Sequence, residues 1–153
     1  MKKLLITASL AALIASSGVV AYDDKAADAA KEHRHGLMQS IKNSALSMRR
    51  IMSGDLDQAE NYSALATALS ASTGIAKAAF NENTVGKGKG HTTAKDHIWD
   101  NWEDFSARLD KLDADVKALE RAAMHNNVGG SKNELVQVFK NCKSCHDEYR
   151  SEH

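Results

Sequence analysis

Two cysteines and a histidine stand together near the C-terminal end, in Cys142-Lys143-Ser144-Cys145-His146, and these are the only cysteines among 153 residues. Thiols can add across the vinyl groups of a porphyrin, and an imidazole can ligate its iron; C-x-x-C-H is the attachment pattern of c-type haem. On a helix the three side chains fall at i, i+3 and i+4, so one face offers both thiols and the ligand to a single flat macrocycle. Other chemistries fit the pattern less well. A thioredoxin-like pair needs C-x-x-C near the start of a helix in a strand-helix-strand unit, and no alternation of strand and helix patterns is present. A structural zinc site needs four ligands, and none of the seven histidines supplies a second paired motif near this one. A disulfide across one helical turn would leave His146 without a role. The expectation is therefore one covalent haem c, bound through Cys142 and Cys145, with His146 as an axial ligand of the iron.

A helix carrying that motif needs partners to bury the macrocycle, and the composition favours helices. There is no proline, 42% of residues are hydrophobic, and alanine is abundant, which suits one all-α domain with a single core. Met1-Lys2-Lys3, the apolar run Leu4 to Ile14 and the small residues Val19-Val20-Ala21 read as an export signal over residues 1–21. The run is too short for a stable membrane span, and no later stretch is long and apolar enough for one. A mature domain over 22–153, with no membrane span and a periplasmic location, is expected. Twenty basic and twenty acidic residues give zero formal charge, and leaving out Lys2 and Lys3 makes it eighteen against twenty. No basic field for nucleic acid exists.

Four helical patterns can be traced. In residues 24–53, Met38, Ile41, Ala45, Met48 and Met52 advance by alternating steps of three and four, the seam of a bundle helix, with Arg34 one turn earlier. Gly54 ends it, and residues 57–81 predict a second helix with Ala59, Tyr62, Ala66, Leu69, Thr73 and Ala76 on one stripe and Phe80 at its end. Gly86-Lys87-Gly88-Lys89-Gly90 lacks the Lys-Ser or Lys-Thr ending of a phosphate loop and reads as a flexible connection. A third helix, capped by Thr92 or Thr93, is expected to run to about residue 125. Ser131 with Glu134 forms the pattern of a capping box before the fourth.

Short links between four helices predict an up-down-up-down antiparallel four-helix bundle. His146 lies fifteen residues beyond Ser131, roughly 22 Å along the fourth helix, and Met38 sixteen before Gly54, roughly 24 Å along the first. The two fall at one height, so the seam of Arg34 and Met38 should face the porphyrin. The same count brings Ser72 to Ala76 and Trp102 to Leu109 towards it.

Taken together, Arg34-His35-Gly36-Leu37-Met38-Gln39, Ala78-Ala79-Phe80, Ile98-Trp99 and Cys142 through Arg150 resemble the cytochrome c prime family, including its low-spin relatives with Met/His iron coordination. The resemblance spans essentially the mature length. It implies a four-helix bundle, often a homodimer, with one haem c held by Cys142, Cys145 and His146. It also implies that Arg34 lies by a haem propionate and Arg150 on the proximal side. Some relatives have a tryptophan three residues before Phe80, where this chain has Lys77.

Function divides at Met38. Its thioether can serve as a sixth iron ligand, giving a low-spin electron carrier, but methionine is also ordinary bundle core, and both readings stand at this point. Electron transfer with redox partner proteins leads. Binding of nitric oxide or carbon monoxide at a vacant distal site is the alternative. A haem peroxidase ranks last, because Met38, Ile41 and Ala45 supply no distal base, and no enzyme is expected. His33, His35, His91, His97, His125 and His153 are not singled out, and Trp99 and Trp102 read as core or dimer interface. The charges at Arg49, Arg50 and Lys111 to Lys117 read as solvated faces.

Overall fold

The protein is described here by a computed structural model over residues 23–152. The expected signal segment 1–21 lies outside the described residues, as do Tyr22 and His153.

Helix α1, Asp24–Ser53, starts where the Asp23 carboxylate accepts the Ala26 N–H at 2.7 Å and stops at Gly54, whose φ of 82° turns the chain left-handed. From residue 37 onward its buried apolar residues are Leu37, Ile41, Ala45, Met48 and Ile51, so the seam is rotated slightly from the expected one. Met38 and Met52 are left half-buried at its edge. The second helix is shorter than the sequence pattern suggests. A 3₁₀ turn at Ala59–Asn61 leads into α2, Tyr62–Gly74, which breaks at Ile75 before the one-turn α3, Ala76–Ala79. Glycine followed by a β-branched residue is a weak helical pair, and the break falls between them.

The third helix likewise starts later than expected. Residues 93–95 pair instead with the C-terminal end: Lys95 N–H donates to Tyr149 O at 3.0 Å and Ser151 N–H to Thr93 O at 2.9 Å. The short α4, His97–Asp100, is separated at Asn101 from α5, Trp102–Ala122, which buries Phe105, Leu109, Leu112, Val116 and Leu119 on one stripe. Helix α6, Lys132–Tyr149, follows a turn in which His125 and Asn126 both have φ of 57°. The capping box does not form. Ser131 has φ −102° and ψ 6°, outside the extended region an N-cap needs, and its hydroxyl donates to Val128 O at 3.0 Å and bonds Tyr62 Oη at 2.9 Å.

The long helices pack α1 on α2, α2 on α5 and α5 on α6, the order of an up-down-up-down four-helix bundle. Contact between α1 and α6 is slight. The ring of helices thus has one loose seam, and a large cavity lies along it. No strand is present among the described residues, and none of their helices is long and apolar enough to cross a membrane.

Candidate haem site

A cavity of about 600 Å³, within the usual range for a cofactor pocket, is bounded by α1, α5, α6 and the segment around residues 91–94. Cys142, Cys145 and His146 all line it, as the helical spacing requires, and both thiols are free and half-buried. Burial raises both thiol pKa values, that of Cys145 to about 11. The His146 ring lines the cavity, and partial burial, then the charge of Arg150, lower its pKa. A neutral imidazole is the ligating form.

The facing wall comes from α1. Met38, Ile41 and Ala45 line the cavity opposite the cysteine motif in sequence order, with Arg34 one turn before Met38. Arg34 is 3% exposed and held firmly: it donates to Thr84 Oγ1 at 2.6 Å and Glu82 O at 3.2 Å. Its guanidinium lies 5.4 Å from the Phe80 ring centroid and 5.2 Å from that of Trp99, a double cation-π arrangement. Trp99 Nε1–H in turn donates to Phe80 O at 3.0 Å. Arg34, Met38 and Arg150 thus all reach the cavity that holds the cysteine motif.

Some expected neighbours do not. Of the second helical segment only Phe80, beyond the break at Ile75, lines the cavity; Ser72 to Ala76 do not. From α5, Phe105, Arg108 and Leu109 arrive but Trp102 packs beside the core. Lys77, where some relatives have tryptophan, forms an exposed pair with Asp110 at 2.7 Å.

Other site residues carried no signal in their own right. Tyr149 Oη donates to Asp104 at 2.5 Å, Asp104 accepts from Arg108 Nε at 2.7 Å, and Arg108 reaches Ser144 O at 3.3 Å. This network ties the motif-bearing turn of α6 to α5. His35 and His91 also line the cavity. The only clues were the Asp104–Arg108 spacing of four and the nearness of Tyr149 to the motif.

The glycine-lysine run is a pinned strap rather than a flexible connection. Lys31 Nζ donates to Lys87 O at 2.6 Å, Gly88 N–H to Asp24 Oδ1 at 2.9 Å and Gly90 N–H to Asp28 Oδ1 at 2.6 Å. Its continuation pairs with the end of α6, so the strap spans the cavity from the first helix to the last.

The family model described as Cytochrome C' matches residues 28–150. The chain belongs to the cytochrome c' family. It is 28% identical over 152 residues to the cytochrome c' of Rhodospirillum rubrum, covering 99% of this chain and 100% of that one. Among solved structures, cytochrome c prime from Shewanella frigidimarina superposes with a TM-score of 0.73 at 26% identity, over 82% of this chain and 97% of that one. A nitric oxide complex of a variant of cytochrome c prime from Alcaligenes xylosoxidans shares the fold, with a TM-score of 0.72 at 20% identity over 82% and 97% of the two chains. As a cytochrome c', this chain binds one covalent haem c. The residues present fit it: two half-buried thiols and an imidazole on one helix, Met38, Ile41 and Ala45 on α1, and lysine and arginine side chains in the lining.

Proposed function

We propose that the protein is an exported, periplasmic electron-transfer cytochrome in which Cys142 and Cys145 form the thioether bonds, His146 ligates the iron and Met38 is the residue opposite. When bound, the haem supplies one-electron exchange and a site for small axial ligands. The polypeptide's share is positioning and exclusion of water. The Tyr149–Asp104–Arg108 network holds the motif-bearing turn, Arg34 secures the 80–84 segment, and the apolar side chains of α1 and α5 dry the cavity. Arg34 and Arg150, both on the cavity wall, are the cations suited to the propionates and the proximal side.

The observation that carries this reading is the pairing of the cysteine motif with an α1 wall of Met38, Ile41 and Ala45. Those three side chains offer a thioether and hydrocarbon; the polar residues that α1 adds to the lining include Arg34, held by Thr84 and Glu82, and His35, Gln39 and Lys42. The same three side chains support a second reading, binding of nitric oxide, as in the Alcaligenes complex, or of carbon monoxide. Absorption spectra of wild type and Met38→Ala separate the two. Conversion from low to high spin on substitution establishes Met38 as the sixth ligand. Identical high-spin spectra remove that ligand role and favour the gas-binding alternative.

A further inference from the structure

The charges of this chain balance overall but are sorted by helix. From His33 to Ser53, α1 carries Arg34, Lys42, Arg49 and Arg50 and no carboxylate; from Leu135 to His146, α6 carries Lys140 and Lys143 and none. Six acidic residues fall on α5 instead. The cavity opens between the two basic stretches. Six of its lining residues are lysine or arginine, and none is aspartate or glutamate.

Not all of these cations face outward. Lys31 and Arg34 are buried and committed to the strap and the 82–84 segment, and Arg108 is paired with Asp104. Arg34 and Arg150 line the cavity itself and are assigned above to a propionate and the proximal side. Lys42, Arg49, Lys140 and Lys143 remain as an exposed group along the seam. Among the described residues no carboxylate pairs with Lys42 or Lys140, and Lys143 has only the solvated Asp147, at 2.7 Å. At the centre are half-buried Leu46 and Phe139, the latter with the Arg49 guanidinium 5.4 Å from its ring centroid. An apolar centre ringed by charge of one sign is the anatomy of a transient protein interface, and it lies over the haem site.

We infer that the α1–α6 seam is the docking face for an acidic redox partner, a protein that sets carboxylates against Lys42, Arg49, Lys140 and Lys143 around a contact at Leu46 and Phe139. The proposal rests on the electron-transfer reading. Its driving force is local: with the whole chain at zero charge, and residues 22–153 at eighteen basic against twenty acidic, net charge gives no attraction to an anion. A local basic face does, and salt screens it.

The test uses the reduced holoprotein and two oxidants of opposite charge, hexacyanoferrate(III) and tris(phenanthroline)cobalt(III), across a range of salt. The rate with the anion should fall as salt rises and the rate with the cation should not. Lys42→Glu with Lys140→Glu should lower the low-salt rate with hexacyanoferrate about ten-fold. The neutral pair Lys42→Gln and Lys140→Gln should give an intermediate loss, and Lys117→Glu on α5 little change. Poly-L-glutamate, standing in for a carboxylate-rich protein face, should slow the wild type but not the charge-reversed variant. Equal salt dependence for both oxidants would overturn the proposal. So would attraction of hexacyanoferrate that poly-L-glutamate does not block, since the face would then be a small-anion site. Absence of exchange with either oxidant would instead remove the electron-transfer reading, and the docking face with it.

Discussion

Replacing Gly88 with alanine should unlatch the strap, and Gly86→Ala should not. Both glycines have positive φ, 70° at Gly86 and 65° at Gly88, so an alanine at either costs about 1–2 kcal/mol of backbone strain. Restricting the unfolded chain returns about 0.4–1 kcal/mol. At Gly86 nothing lies within 4 Å of an added methyl, so the net loss is about 1 kcal/mol. At Gly88 the methyl would land on the Asp28 carboxylate and 2.9 Å from the Asp24 carbonyl oxygen. Relief means giving up the Gly88–Asp24 and Gly90–Asp28 hydrogen bonds, each about 1 kcal/mol at this accessible site. The total for Gly88→Ala is then about 3 kcal/mol, unless strap release caps it lower, against about 1 for Gly86→Ala. At about 2–4 °C per kcal/mol for a chain of this size, the thermal midpoints should drop by about 6–12 °C and about 2–4 °C. Trypsin supplies a local readout, because Lys87 and Lys89 lie in the strap. Gly88→Ala should be nicked there faster than wild type, and Gly86→Ala at the wild-type rate. Equal midpoints and equal nicking in the two variants would refute the latch.

Three further outcomes can be measured. Burial and the Asp104 hydrogen bond push the Tyr149 pKa up to about 12, so its contribution to stability is full below pH 10 and is lost as pH rises through 12; the same bond holds Asp104 below 3.8, a contribution present above that value and lost as pH falls below it. Tyr149→Phe should flatten both arms of the stability-pH curve, and in the wild type one tyrosine should ionise near pH 12 in the ultraviolet titration. Tyr62→Phe removes the buried bond to Ser131 and should cost about 1 kcal/mol in denaturant unfolding, with Ser131 still donating to Val128. Homodimer formation through α1 and α2, with Ala64, Ala68 and Ala71 exposed on α2 and a 52% exposed Ile75 just beyond it, predicts a concentration-dependent mass in analytical ultracentrifugation.

The site was legible wherever function demands fixed spacing. Cys142, Cys145 and His146 share a helical face by arithmetic alone, and matching their height to Met38 needed only the rise per residue and two helix ends, Gly54 and Ser131. What the sequence hid were interactions set by distant chain segments. The breaks at Ile75 and Asn101 lie inside apolar stripes that continue past them, so periodicity runs straight through. Ser131 and Glu134 have the letters of a capping box, yet the Tyr62 hydroxyl claims the serine. The glycine-lysine run looked loose because its partners, Asp24, Asp28 and Lys31, lie more than fifty residues away. Charge sorting along α1 and α6 was present in the sequence, but its meaning depends on the cavity opening between those helices.

The central assignment, that the haem is bound covalently at Cys142 and Cys145, is tested most directly by mass spectrometry of a proteolytic digest of the acid-denatured holoprotein. The account predicts that the haem mass stays on the peptide containing Asn141 to Arg150 and that neither cysteine takes up an alkylating reagent. Extraction of the haem into organic solvent, with Cys142 and Cys145 both alkylated, would contradict it.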